Sequence, residues 1–98
     1  MSRRATLSEP IEVAKFWKNR KGEAIIVTLK SFEGRPIVDI RTHFTTKEGK
    51  FQPTTKGLAL MVLRLPDLAK AINKALARAQ QLGLLGAQDE PAHSDAAE

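Results

Sequence analysis

The stretch Lys30–Leu60, KSFEGRPIVDIRTHFTTKEGKFQPTTKGLAL, decides the fold. Glu33-Gly34 is a two-residue hairpin signal between two extended runs. Pro36–Thr45 reads as a strand, because Pro is tolerated at a strand's first residue. Lys47-Glu48-Gly49-Lys50 turns the chain again, and Phe51–Val62 is a further extended segment. Pro53 cannot donate to a ladder, so its position calls for a bend or a sheet edge. Basic and flat residues are threaded through the stretch at Phe32, Arg35, Arg41, His43, Phe44, Phe51 and Lys56. A sheet that shows cations beside rings can hold a phosphate backbone and stack unpaired bases. Single-stranded nucleic acid is therefore the first ligand class to consider.

Upstream, Glu23–Phe32 is rich in β-branched residues, with Ile25, Val27 and Leu29 on one face. Asn19-Arg20-Lys21-Gly22 is a turn, and Val13–Asn19 alternates as a first strand. A regular first strand puts Phe16 and Trp17 on opposite faces. Downstream, Leu65-Pro66-Asp67 opens a helix, with Pro in the first turn and Asp67 at the positive end of the dipole. Leu65, Leu68, Ala69, Ile72, Ala75, Leu76 and Ala79 form one apolar stripe, and Lys70, Lys74 and Arg78 lie on another face. Gly83 or Gly86 ends the helix.

Four sequential strands with short turns predict an α+β fold: an antiparallel meander followed by one C-terminal helix. One helix covers only part of such a sheet. The remaining apolar area must curl on itself, meet a partner or bind a ligand.

The chain has 98 residues, which suits one domain with loose ends. Residues 1–11 read as a flexible N-terminus, 12–86 as the domain, and 87–98 as a disordered acidic tail. All sixteen Lys and Arg precede residue 85, against seven acids there, a balance of +9. The tail residues Asp89, Glu90, Asp95 and Glu98 carry −4. A basic body attracts polyanions. The tail reads as a solubilising end, or as a competitor that folds back on the basic surface.

The absence of cysteine excludes disulfides and cysteine-ligated metal. No apolar run follows the Met-Ser-Arg-Arg start, and no segment is apolar enough for a membrane span. A cytoplasmic, nucleoid-associated protein is the expectation.

Enzyme chemistry finds little to work with. The histidines are His43 and His93, and no metal-ligand spacing or Gly-rich phosphate loop accompanies them. No cofactor or metal is expected, and His43 reads as a ring on a sheet surface. The five aromatic residues, Phe16, Trp17, Phe32, Phe44 and Phe51, must divide between core and surface.

The ordered run Phe32-Glu33-Gly34-Arg35, Val38-Asp39-Ile40-Arg41-Thr42-His43-Phe44, Glu48-Gly49, Pro53 and Lys56-Gly57-Leu58-Ala59-Leu60 resembles the C-terminal domain of positive cofactor 4. That family holds single-stranded-DNA-binding transcriptional coactivators, with bacterial relatives, and the likeness spans about residues 13–82 of this bacterial-type chain. The resemblance implies a curved four-stranded antiparallel sheet followed by a helix. It implies a homodimer whose paired sheets form grooves for single-stranded DNA, and no catalytic activity. The family's DNA-contacting positions fall on Phe32, Arg35, Arg41, Phe44 and Lys56.

Some positions depart from the family's pattern. Glu33 stands where a Lys is usual, Gln52 and Thr55 replace basic residues, and His43-Phe44 replaces a Tyr-Trp pair. These changes remove positive charge and shrink the stacking surface. Arg20, Lys21, Lys47 and Lys50 at the turns are placed to supply charge instead. Strict alternation sets Arg41 and Phe44 on opposite faces unless a bulge intervenes near Thr42.

The expected site is thus Phe32, Arg35, Arg41, His43, Phe44 and Lys56, with Arg20, Lys21 and Lys50 at the turns. Leu68, Ile72 and Leu76 are the expected dimer interface. The leading function is a dimeric single-stranded-DNA binder of coactivator type. The alternatives are single-stranded RNA binding and a protein-interaction module for acidic partners of the transcription machinery.

Overall fold

The computed structural model describes residues 7–86. Residues 1–6 of the loose start expected over 1–11, and the acidic tail at 87–98, lie outside them. Four strands, β1 (Ile11–Trp17), β2 (Glu23–Phe32), β3 (Arg35–Thr45) and β4 (Phe51–Met61), form one antiparallel sheet in the order β1-β2-β3-β4. A short 3-10 turn at Val62–Arg64 leads into the helix α1 (Leu65–Gln81).

The turns obey local chemistry. Glu33 and Gly34 both take positive φ, 52° and 81°. That is the backbone of a primed hairpin turn, which matches the twist of the strands it joins. The first strand runs Ile11–Trp17 rather than to Asn19, because Asn19 belongs to the turn. Its Oδ1 accepts from the Lys21 backbone N–H at 2.9 Å, and its Nδ2 donates to Glu23 Oε1 at 2.7 Å. Leu7 is tied down before the strand begins, its carbonyl accepting from Ser31 Oγ at 3.0 Å. Val62 leaves the sheet for the 3-10 turn. At the helix end, Gly83 takes φ 74° while its N–H reaches the Gln80 carbonyl and Leu84 N–H reaches Ala79. These paired bonds satisfy the last helical carbonyls, so Gly83 stops the helix.

Two irregularities shape the sheet. Val13 is an unpaired extra residue between Glu12, opposite Thr28, and Ala14, opposite Val27. In β4, Gly57 pairs with Arg41 and Pro53 with His43, so Thr54, Thr55 and Lys56 together stand opposite Thr42. The irregularity expected from Pro53 is this bulge, and β4 is also an edge strand.

The register assigns the faces. Trp17, Ala24, Ile26, Phe32, Arg35, Asp39, Arg41, His43 and Phe51 share one face, called inner here. Phe16, Ile25, Val38, Thr42, Phe44 and Leu58 share the outer face. Trp17 on β1 and Phe51 on β4 belong to opposite edges, about three strand spacings or roughly 14 Å apart in a flat sheet. Their ring centroids lie 5.7 Å apart, so the sheet curls toward its inner face at this end. Small Ala24, fully buried, is the cross-strand partner of Trp17 on that face.

The buried apolar core is Ala24, Ile26 and Val38. The helix buries no residue, and Ile72 and Leu76 stay exposed. The outer face exposes Ile11, Phe16, Phe44 and Leu58. The radius of gyration, 15.7 Å, exceeds the roughly 13 Å of a compact domain of this length. Among the described residues, no helix is long and apolar enough to cross a membrane.

Candidate nucleic-acid interface

The sequence-predicted residues fall into groups at the two ends of the sheet. At the β2–β3 hairpin, Phe32 and Arg35 are direct cross-strand partners on the inner face, and both are exposed. Ring and guanidinium therefore stand side by side at the tip. Among the described residues, Arg35 Nη1 has only a long contact with Met61 Sδ, at 3.9 Å, and the side chain is exposed. Glu33 at the turn lowers the positive charge of the tip.

At the other end, Phe44 is exposed on the outer face opposite Glu23. The Asn19 amide holds the Glu23 carboxyl below the ordinary glutamate range, and Lys18, Lys56 and Lys21 add to the effect. Those three cations are thus gathered around the corner that carries Phe44. Lys18 pairs loosely with Glu23 at 3.9 Å, while the Lys56 and Lys21 ammonium groups make no ion pair among the described residues. Lys50 and Arg20 lie in the two turns at this same end, both exposed.

Arg41 sits between the two ends on the inner face, and its guanidinium is already engaged. Nε donates to both oxygens of Asp39, at 3.1 and 3.2 Å, and Nη2 donates to Oδ1 at 2.9 Å. Nη1 donates to the Thr54 carbonyl at 3.0 Å. Asp39 is buried, and its hydrogen bonds push the Arg41 guanidinium still further above its ordinary value. Thr54 Oγ1 donates to the Thr42 carbonyl at 2.8 Å and accepts from Lys56 N–H at 3.1 Å. Asp39, Arg41, Thr42 and Thr54 together lock the β4 bulge, and that bulge presents Lys56.

His43 lies half-buried on the inner face, its Nδ1 3.2 Å from the Arg41 carbonyl oxygen. The register between β2 and β3 is regular from Phe32 to Glu23, so Arg41 and Phe44 do lie on opposite faces. The bulge near Thr42 is on β4 and leaves β3 alternating. Nine residues separate Arg35 from Phe44, which spans about 30 Å of strand. Phe32 and Phe44 therefore make separate patches.

Lys15 and Phe51 were not among the expected site residues. Lys15 Nζ lies 4.6 Å from the Phe51 ring centroid, and Trp17 meets the same ring at 49°. Alternation put Lys15 and Trp17 on one face of β1. Only the curl of the sheet brings Phe51 to them.

No three or more His, Asp or Glu residues gather as a metal site among the described residues. The buried side-chain polar atoms there all have hydrogen-bond partners.

The family model for Transcriptional Coactivator p15 (PC4) matches residues 18–71, more than half of the chain. Among solved structures, the crystal structure of a PC4 homolog from Burkholderia pseudomallei K96243 aligns with a TM-score of 0.63 at 21% identity. The alignment covers 72% of this chain and 95% of that chain, and it shows a shared fold. No curated protein matches the sequence.

Proposed function

We propose that this chain, which belongs to the Transcriptional Coactivator p15 (PC4) family, is a homodimeric binder of single-stranded DNA that acts in transcription as a coactivator. The observation that carries the reading is the pairing of exposed rings with uncommitted cations at both ends of one curved sheet. Phe32 stands beside Arg35, and Phe44 lies at the corner shared with Lys56 and Lys21.

Stacking on a ring is worth roughly 1–3 kcal/mol per base and tolerates any base. Arg35, Lys56, Lys21 and Lys50 hold phosphates and release counterions. Arg20 adds charge at the same end. Arg41, whose fork is taken by Asp39, contributes through its remaining exposed edge and chiefly by setting the bulge. His43 lines the inner face between the patches. A strand that touches both patches runs about 30 Å along the sheet, or roughly nine nucleotides at stacked spacing, and passes from its inner to its outer face.

Self-association is supported by what one chain leaves uncovered. Among the described residues, a core of three small or medium side chains is thin for a domain of this size. Ile72 and Leu76 of the Leu68, Ile72 and Leu76 stripe are exposed in the single chain, and a second copy covers them by symmetry.

Sedimentation velocity of the chain alone, then with a 20-nucleotide oligo-dT, tests both parts of the reading. A dimer that takes up the oligonucleotide supports it. A monomer that leaves the oligonucleotide free overturns it.

A further inference from the structure

We infer that Trp17 and Arg20 form a stacking subsite for one nucleobase of a bound single strand, with Arg20 on the adjoining phosphate. The inference rests on the nucleic-acid reading above and adds a residue pair that the family likeness does not single out.

A pocket of about 210 Å³ opens at the β1–β2 turn, lined by Trp17, Asn19, Arg20 and Gly22. It is smaller than the roughly 300–1,000 Å³ of drug-sized ligand sites. One flat ring system suits it better than a larger ligand. Trp17 is 37% exposed, a large apolar ring left partly open on a short edge strand. Phe51 braces it from one side at 5.7 Å. Lys15 lies over Phe51 at 4.6 Å, so that ring is capped by a cation and serves as support. Trp17 remains the ring available for stacking.

Arg20 is exposed, and its guanidinium forms no hydrogen bond or ion pair among the described residues. The turn that holds it is rigid. Asn19 Oδ1 accepts from the Lys21 N–H, and the Gly22 carbonyl accepts from both Thr45 N–H and Thr45 Oγ1, at 3.1 and 2.7 Å. Gly22 at φ 89° permits this path. The Trp17 ring and the backbone that carries Arg20 are thus braced before any ligand arrives, while the guanidinium itself stays free to meet a phosphate.

The pair favours a nucleotide over an acidic peptide. A carboxylate satisfies Arg20 but leaves the indole face in water. A nucleotide brings a flat base and an anion a short distance apart, and it engages both groups.

Trp17 is the single tryptophan of the chain, so its emission reports on this corner directly. The full chain is titrated with 20-nucleotide oligo-dT while Trp17 emission is followed, in parallel with anisotropy of the same oligonucleotide carrying a dye. We expect quenching that saturates with the anisotropy change. An abasic oligonucleotide of equal length should bind with little quenching. Arg20→Ala should weaken oligo-dT binding about threefold to tenfold and flatten the log–log salt slope by about 0.7. Arg20→Lys should restore most of that slope.

Binding without quenching, together with unchanged affinity and slope in Arg20→Ala, overturns the subsite and leaves the nucleic-acid reading standing. No binding by anisotropy overturns both. Quenching by poly-glutamate equal to that by oligo-dT overturns the subsite in favour of an acidic polypeptide.

Discussion

Arg41 Nη2 lies 2.9 Å from Asp39 Oδ1, and the same guanidinium reaches across β4 to the Thr54 carbonyl at 3.0 Å. A cation that reads as a phosphate contact is thereby a clamp between the centre of the sheet and the bulge beside it. Arg41→Ala leaves the buried Asp39 carboxylate without its cation, which destabilises the fold. Arg41→Lys keeps the charge but loses the planar fork that reaches Asp39 and Thr54 at once. Both variants should lower the thermal midpoint, followed by circular dichroism. A wild-type midpoint for Arg41→Lys would contradict the clamp.

Gly57 faces Arg41 across the same junction. A Cβ there would meet the Ile40 carbonyl oxygen at 2.5 Å and the Arg41 Cα at 2.8 Å, so backbone has to move. Gly57→Ala should cost about 1–3 kcal/mol in denaturant unfolding. It should also weaken DNA binding, because the bulge carrying Lys56 shifts with it.

Asn19 carries a pH-dependent term. Its hydrogen bond holds the Glu23 carboxyl below the ordinary value of 4.5. A carboxyl lowered in the folded state adds stability above its unfolded value, and that stability is lost as pH falls through the folded value. Asn19→Ala should therefore destabilise the chain at neutral pH, with the difference from wild type shrinking as pH drops below the ordinary glutamate range. Unfolding midpoints measured from pH 7 to pH 3 check this. A difference that stays constant across the range would show that Asn19 acts only through its turn.

The helix stripe makes the oligomeric prediction. Ile72 and Leu76 are exposed in the single chain, and burying each such side chain contributes roughly 1.5–3 kcal/mol. A charge there counts twice in a symmetric dimer. Leu76→Asp should weaken self-association at least about a hundredfold, read by analytical ultracentrifugation. A variant that sediments as wild type would place the contact elsewhere.

Much of the fold was legible because short-range rules governed it. Glu33-Gly34 marked the hairpin, Pro53 announced an irregular edge, and Pro66 bounded the helix at one end with Gly83 or Gly86 at the other, of which Gly83 ends it. Alternation along β3 already separated Arg41 from Phe44. It also sets Asp39 beside Arg41 on one face, so the guanidinium that the family likeness makes a DNA contact is paired within the sheet.

What the sequence withheld depends on distant parts of the chain. The bulge opposite Thr42 needs the register of β4 against β3, which no local pattern encodes. The meeting of Trp17 with Phe51 needs the sheet to curl until its two edges approach. Alternation carries the first strand on to Asn19, whereas the strand ends at Trp17 because the Asn19 side chain serves the turn.

The central claim, that the exposed rings and free cations of this sheet bind an unpaired strand, is tested most directly by fluorescence anisotropy. Dye-labelled oligo-dT of about 25 nucleotides is compared with the matching duplex at several salt concentrations. Tighter binding of the single strand is predicted, with affinity falling as salt rises by a log–log slope of about −0.7 for each phosphate held. Equal affinity for both forms, or binding indifferent to salt, would contradict it.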